Sequence, residues 1–169
     1  GLLLKRRNLA LEPLIHGGES TTLYRSGTPT VALASSLALA LELAVEQLPQ
    51  HREAVRKANA FLRAELSRYP KVRINSPENA IPQILNLSVQ DVKGTVFQRA
   101  LDEKGVCVSV KSACSSDGMP SRAVFAVSRD RRNALSSWRI SLSHLTTEED
   151  LRGFLAAFDA CYRELTETH

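Results

Sequence analysis

The clearest pattern in the chain is a helical stripe close to its C-terminus. Thr146 and Glu149 have the spacing of a capping box at a helix start. The apolar positions that follow recur every three or four residues: Leu151, Phe154, Leu155, Phe158, Cys161, Tyr162 and Leu165. This spacing predicts an amphipathic helix packed on a core, and packing alone accounts for the cysteine in the stripe.

Shorter runs with other periods precede this helix. Four of them predict strands: 72–75, 84–89, 106–110 and 138–143. Helical spacing predicts two helices between them: 94–104 and 121–128. Because the predicted strands alternate with helices, we expect a mixed α/β domain in which helices cover a small sheet.

The first third of the chain predicts a different environment. Residues 1–4 predict a buried strand, as expected of a chain that begins inside a larger fold. Thr28 and Pro29 predict a helix start, with the threonine as N-cap and the proline as first helical residue. The next residues are apolar almost all round from Val31 to Val45, which predicts burial in a larger core or a subunit contact.

Pro49 predicts the end of that apolar helix and the start of another. We place a domain boundary at this junction, with residues 1–48 in one domain and 49–169 in the next. The apolar run contains Ser35 and Glu42, and it is shorter than the ~20 residues that a membrane span requires. No membrane contact is therefore expected.

Charge and cysteine content narrow the class of protein further. The net charge of +4 is scattered along the chain, and the arginines at 129–132 predict a solvated loop rather than a nucleic-acid surface. The three cysteines have spacings that match neither a disulfide framework nor a zinc site. No bound metal is therefore expected. No secretory leader is recognisable, so a reducing, cytoplasmic location is expected.

Cys114 is the one cysteine that packing does not explain. Cys107 and Cys161 lie in apolar patterns that predict core positions, whereas Cys114 lies among serine, aspartate and glycine just past a predicted strand. A reactive thiol needs access and electropositive surroundings, and Lys111 supplies a positive charge nearby. No partnered histidine is recognisable, which predicts a thiol that attacks a substrate activated by another group.

Two further positions are candidate anion sites. Arg139 lies on the polar face of a predicted strand, where a guanidinium can bind a carboxylate through two hydrogen bonds, although a surface role is the simpler interpretation. Thr28 places a hydroxyl at a predicted helix start, which suits an anion such as phosphate. Helix capping alone explains many such Thr-Pro starts.

Together these segments resemble the cysteine desulfurases, which are class V aminotransferases of the fold-type I group that uses pyridoxal phosphate. The resemblance rests on motifs that occur in order along nearly the whole chain: Ile15-His-Gly-Gly, Arg25-Ser-Gly-Thr-Pro, Ser109-Val-Lys-Ser-Ala-Cys-Ser-Ser, Pro120-Ser, Ser136-Ser-Trp-Arg-Ile-Ser-Leu-Ser and Thr146-Thr-Glu-Glu. It implies the small C-terminal α/β domain of such an enzyme, an α+β sandwich, together with the end of its large domain.

The resemblance implies a role for each candidate residue. Cys114 takes sulfur from L-cysteine as a persulfide, with release of L-alanine, and passes it to an acceptor. Arg139 binds the substrate carboxylate, and Thr28 contacts the cofactor phosphate of the other subunit in a homodimer. An iron–sulfur scaffold and a tRNA-thiolation enzyme are both open as acceptors, and no direct contact with nucleic acid is expected.

The resemblance has gaps and departures. The lysine that anchors the cofactor in this family has no counterpart here, so the chain by itself is expected not to desulfurate cysteine. Lys111 stands where the family usually has a glycine, and Glu19 stands where it usually has another. The lysine predicts a specialised acceptor or a thiol tuned by charge.

Two other functions remain open at this point. Another aminotransferase or lyase of the same superfamily would bind pyridoxal phosphate but need no thiol at position 114. A non-catalytic RNA-binding module would use the basic charge, but the arginines at 129–132 lack the interleaved aromatic residues on which bases stack.

Overall fold

A computed structural model of the chain describes residues 2–18, 22, 24–111 and 119–167. It contains two compact units, residues 1–46 and 47–169. The helices are α1 Val31–Leu66, α2 Gly94–Asp102, α3 Arg122–Ser128, α4 Arg131–Ser136 and α5 Glu148–Thr166. The strands are β1 Val72–Ile74, β2 Ile84–Val89 and β3 Ser137–Ser141. Helices on a small sheet confirm the expected mixed fold, whereas the boundary at Pro49 stays a prediction.

The sheet of the second unit is antiparallel, with the order β1-β2-β3. Its register pairs Val72 with Val89 and Asn86 with Arg139. Because side chains alternate across each strand, directly paired residues point to the same face. One face of the sheet is therefore apolar, and the other carries asparagine, serine and arginine.

The apolar face is covered by α2, α5 and the C-terminal half of α1. Trp138 and Phe158 are fully buried there, and the Phe97 ring stacks on the indole at a centroid distance of 5.2 Å. Gly94 allows α2 to begin against β3, since a Cβ at this position would lie 2.5 Å from the Ser137 carbonyl oxygen. These contacts fix β3, and hence its polar residues, against the core.

α1 differs from its prediction in two ways. It runs without interruption through Pro49, because a proline removes only one hydrogen bond and a buried stripe from Val55 onward stabilises the following turns. It begins at Val31, so Thr28 is not its N-cap. Residues 31–48 are all exposed in the single chain, so their burial in a larger core or a subunit contact stays a prediction.

By length and composition α1 could cross a membrane, and among the helices of the described segments it alone meets this criterion. A core helix of a soluble protein passes the same test. The length argument made from the sequence is wrong, because the helix has 36 residues. The expectation of no membrane contact stays a prediction.

Other local predictions need correction. Residues 106–110 form no strand, and Ser109 makes a single antiparallel bridge to Arg139. Residues 2–4 are exposed and form no strand. Asp130 caps α4, a helix in the segment expected to be a loop. The capping box of α5 lies one residue further along, at Thr147 and Asp150.

Candidate functional site

A cavity of about 1370 Å³ opens on the polar side of the sheet. Arg139 and Asn86 line it from the sheet, and α3 forms another wall. Lys111 and Met119, the described residues on either side of 112–118, line it as well. Cys114 belongs to that segment and lies outside the described residues.

Arg139 occupies the middle of β3 and is half-buried. Its backbone N–H donates to the Ser109 carbonyl at 2.7 Å, and the Ser109 N–H donates back at 3.2 Å. Its Nε donates to the Ser141 hydroxyl at 3.1 Å. Backbone and side chain are thus both held, while the structure records no acceptor for the two terminal nitrogens among the described residues. A guanidinium in this state can bind a carboxylate through two hydrogen bonds.

The charged side chains among the described lining of the cavity are all positive. Its described lining contains no aspartate or glutamate, and its cationic residues are Arg73, Lys111, Arg122, Arg131 and Arg139. Asp130 does not line the cavity, but one of its carboxylate oxygens lies 3.4 Å from Arg73 Nη1. Because this ion pair is exposed, it reduces the attraction of the cavity for an anion only a little. Like charges that converge on a concave surface favour an anionic ligand.

A chain of amide hydrogen bonds, which the sequence analysis missed, supports this face. Asn75 Nδ2 donates to Asn86 Oδ1 at 2.9 Å and to the Ser88 hydroxyl at 2.8 Å. Asn133 Nδ2 donates to Asn75 Oδ1 at 2.9 Å, which ties α4 to the sheet. The alternating polar positions 86 and 88 indicated a polar face of the strand. The sequence could not identify their partners, because some of these hydrogen bonds join residues 45 or more positions apart.

The two cysteines among the described residues have different surroundings. Cys161 is fully buried in α5, as expected, and burial raises the pKa of its thiol, which makes it less reactive. Cys107 is exposed, contrary to the expected core position, because the segment around it forms a single bridge rather than a strand with a buried face. Its Sγ lies 3.9 Å from an Asp102 oxygen.

Thr28 lies in the first unit, exposed, three residues before α1. The preceding turn is held by Ser26, whose N–H donates to the Ile15 carbonyl at 3.2 Å and whose hydroxyl donates to the His16 carbonyl at 3.0 Å. Gly27 has φ +98°, which favours glycine. An exposed hydroxyl on a fixed turn before a helix suits the phosphate of a cofactor.

The sequence model of the aminotransferase class-V family matches residues 11–154. The chain is 33% identical over 168 residues to the cysteine desulfurase IscS of Dictyoglomus turgidum, and this match covers 98% of the chain and 43% of that protein. It is 31% identical over 155 residues to an IscS-like cysteine desulfurase of Mycobacterium tuberculosis, which covers 89% of the chain and 39% of that protein.

Solved structures agree with these relatives. A NifS-like protein from Rickettsia africae superposes with a TM-score of 0.75 at 28% identity, over 92% of this chain and 41% of that one. A second NifS-like protein gives a TM-score of 0.77 at 30% identity, over 96% and 41%. The chain therefore spans less than half the length of the relatives that it matches, and it belongs to the aminotransferase class-V family.

Proposed function

We propose that this chain is part of a cysteine desulfurase that uses pyridoxal phosphate, with Cys114 as the sulfur-accepting thiol. The observation that carries the proposal is the cationic cavity. Arg139 lines this cavity, and so do the described residues on both sides of the cysteine segment. The relatives named as cysteine desulfurases support the same reaction.

In this proposal Arg139 binds the carboxylate of L-cysteine. Its Nε is already held by Ser141, so the two terminal nitrogens form a fork of restricted orientation. The neighbouring cations lower the free energy of any anion in the cavity. Fixing the substrate by its carboxylate leaves the sulfur end to face the thiol.

The sulfur transfer balances without an oxidant. The Cys114 thiolate attacks the substrate sulfur, so an S–S bond forms while the carbon–sulfur bond of L-cysteine breaks. The electron pair of the broken bond stays on carbon, which takes up a proton and becomes the methyl group of L-alanine. The product on the enzyme is a persulfide, ready for transfer to an iron–sulfur scaffold or a tRNA-thiolation enzyme.

Pyridoxal phosphate supplies the electron sink that makes the substrate carbon–sulfur bond cleavable. Thr28 is the proposed phosphate contact, made to the cofactor of the other subunit in a homodimer. The exposed apolar side chains of residues 31–48 are consistent with a partner surface. A cytoplasmic location is part of the same proposal, because a reducing compartment keeps the accepting thiol free of disulfides.

The decisive experiment replaces Cys114 by serine in the intact enzyme. Persulfide formation and L-alanine release from L-cysteine are expected to cease, while cofactor absorbance is retained. Cys107→Ser is the matched control, an exposed cysteine outside the cavity lining, and it should retain full activity. An active Cys114→Ser enzyme would refute the proposal and favour another aminotransferase or lyase of the superfamily.

The chain of 169 residues gives a second test when mixed with pyridoxal phosphate. No turnover of L-cysteine is expected, because the chain has no lysine in a motif matching the family's cofactor anchor. Turnover by this chain alone would contradict that part of the proposal.

A further inference from the structure

We infer that Asn86 is a second donor to the substrate carboxylate, through its side-chain NH₂ group. The inference rests on the proposed function, which assigns that carboxylate to Arg139. Asn86 lies directly opposite Arg139 in the sheet, and both line the cavity. Paired positions on neighbouring antiparallel strands bring their Cβ atoms to about 4.5–5.5 Å.

The orientation of the Asn86 amide follows from its neighbours. The Ser88 hydroxyl donates its single proton to the Asn133 carbonyl oxygen at 3.0 Å, and that oxygen can only accept. Toward Asn75 the hydroxyl must therefore accept, so the Asn75 atom that faces it at 2.8 Å is Nδ2. The same Nδ2 lies 2.9 Å from the Asn86 side chain, and this contact must be to Oδ1.

With Oδ1 engaged by Asn75, the two protons of Asn86 Nδ2 remain to be used. The two arms of an amide diverge, so Nδ2 is directed away from Asn75 and β1. Among the described residues the structure records no acceptor for it. A substrate carboxylate held by Arg139 provides one, since a carboxylate accepts more hydrogen bonds than the two of a guanidinium fork.

The test uses the intact enzyme with Asn86→Asp. This variant keeps an oxygen for Asn75 but replaces the donor by an acceptor that repels the substrate carboxylate. The KM for L-cysteine is expected to rise about 10-fold to 100-fold, as for a hydrogen bond to a charged group. The kcat is expected to change little, because binding is lost equally in ground and transition states. An unchanged KM overturns the inference.

A binding measurement separates the carboxylate contact from a general effect on activity. Calorimetry should show weaker binding of L-alanine to the Asn86→Asp enzyme. Binding of L-alaninamide, in which a neutral amide replaces the carboxylate, should be unchanged. An equal loss for both ligands overturns the inference.

Asn59→Asp is the matched control for loss of stability. Asn59 is a buried asparagine whose side chain bonds to the Pro82 carbonyl and to Arg63, and it does not line the cavity. Its replacement should lower the melting temperature without changing the KM. An equal rise of KM in this control would assign the Asn86 effect to destabilisation and overturn the inference.

Arg139→Ala distinguishes the inference from the function on which it rests. If Arg139→Ala raises the KM and Asn86→Asp does not, the inference alone fails. If Arg139→Ala leaves the KM for L-cysteine unchanged, the proposed carboxylate site itself is wrong.

Discussion

The two faces of the sheet are built from the same strands but are stabilised by different interactions. On one face Trp138 and Leu87 are fully buried, and aromatic rings from α2 and α5 pack on the indole. On the other face Ser88 is equally buried, yet it is held by hydrogen bonds to Asn75 and Asn133. Burial by itself therefore does not distinguish the core from the support of a site. The kind of partner distinguishes them: apolar side chains in the core, and hydrogen-bonding groups beneath the site.

This difference determines how strictly each face fixes the orientation of its side chains. Apolar contacts are nondirectional, so the first face tolerates changes of shape that conserve volume. Hydrogen bonds have a direction, and a buried polar group without a partner is destabilising. The polar face can thus fix the orientation of Asn86 in a way that the apolar face could not.

The largest effect is expected on the apolar face, from Phe158→Ala. This ring is fully buried and contacts Phe97, Trp138 and Tyr69. Its removal should lower the free energy of unfolding by about 3–5 kcal/mol, measured by urea denaturation. Phe125→Ala is the control: at 41% exposure this ring should contribute much less. Equal losses would contradict the assignment of the core.

A smaller effect is expected on the polar face, from Asn133→Ala. This side chain is 7% exposed, and its loss leaves Asn75 Oδ1 without its donor. The free energy of unfolding should fall by about 1–3 kcal/mol. Asn79→Ala removes an asparagine from the exposed β1–β2 turn and should change it by at most about 0.5 kcal/mol. If the hydrogen-bond network does not stabilise the fold, both variants will show the same small change in the free energy of unfolding.

The smallest effect is expected beside the cavity, from Arg129→Gly. Arg129 ends α3 with φ 54°, the left-handed conformation that favours glycine. Relief of this strain should raise the free energy of unfolding by about 0.5–1 kcal/mol, after allowance for the greater freedom of glycine in the unfolded chain. Arg132→Gly, within α4, should lower it by a similar amount. A lower free energy of unfolding in both variants would contradict the interpretation that the backbone of Arg129 is strained.

Much of the fold was predictable because periodicity is a local property. Strand β2 has the predicted bounds, and the stripe of α5 is buried at Phe154, Phe158 and Cys161. The continuation of α1 through Pro49 was not predictable from that residue alone, because it depends on the packing of turns beyond it. Residues 106–110 alternate like a strand but pair with β3 at one residue only.

The candidate site divides in the same way. Residue chemistry singled out Arg139, Thr28 and Cys114, whose roles stay predictions. The sequence could not show that Asn86 is paired with Arg139, or that Asn133 supports the same face. Those pairings join positions far apart in the chain, and no local pattern encodes them.

By itself, the sequence determined which residues could share a strand or helix face, since side-chain direction follows the backbone period. Only the tertiary structure decided which of those faces meet. It set the register of β3 on β2 and surrounded the cavity with positive charge. Strand register and the convergence of loops depend on contacts between distant segments, whose free energy is a property of the whole fold.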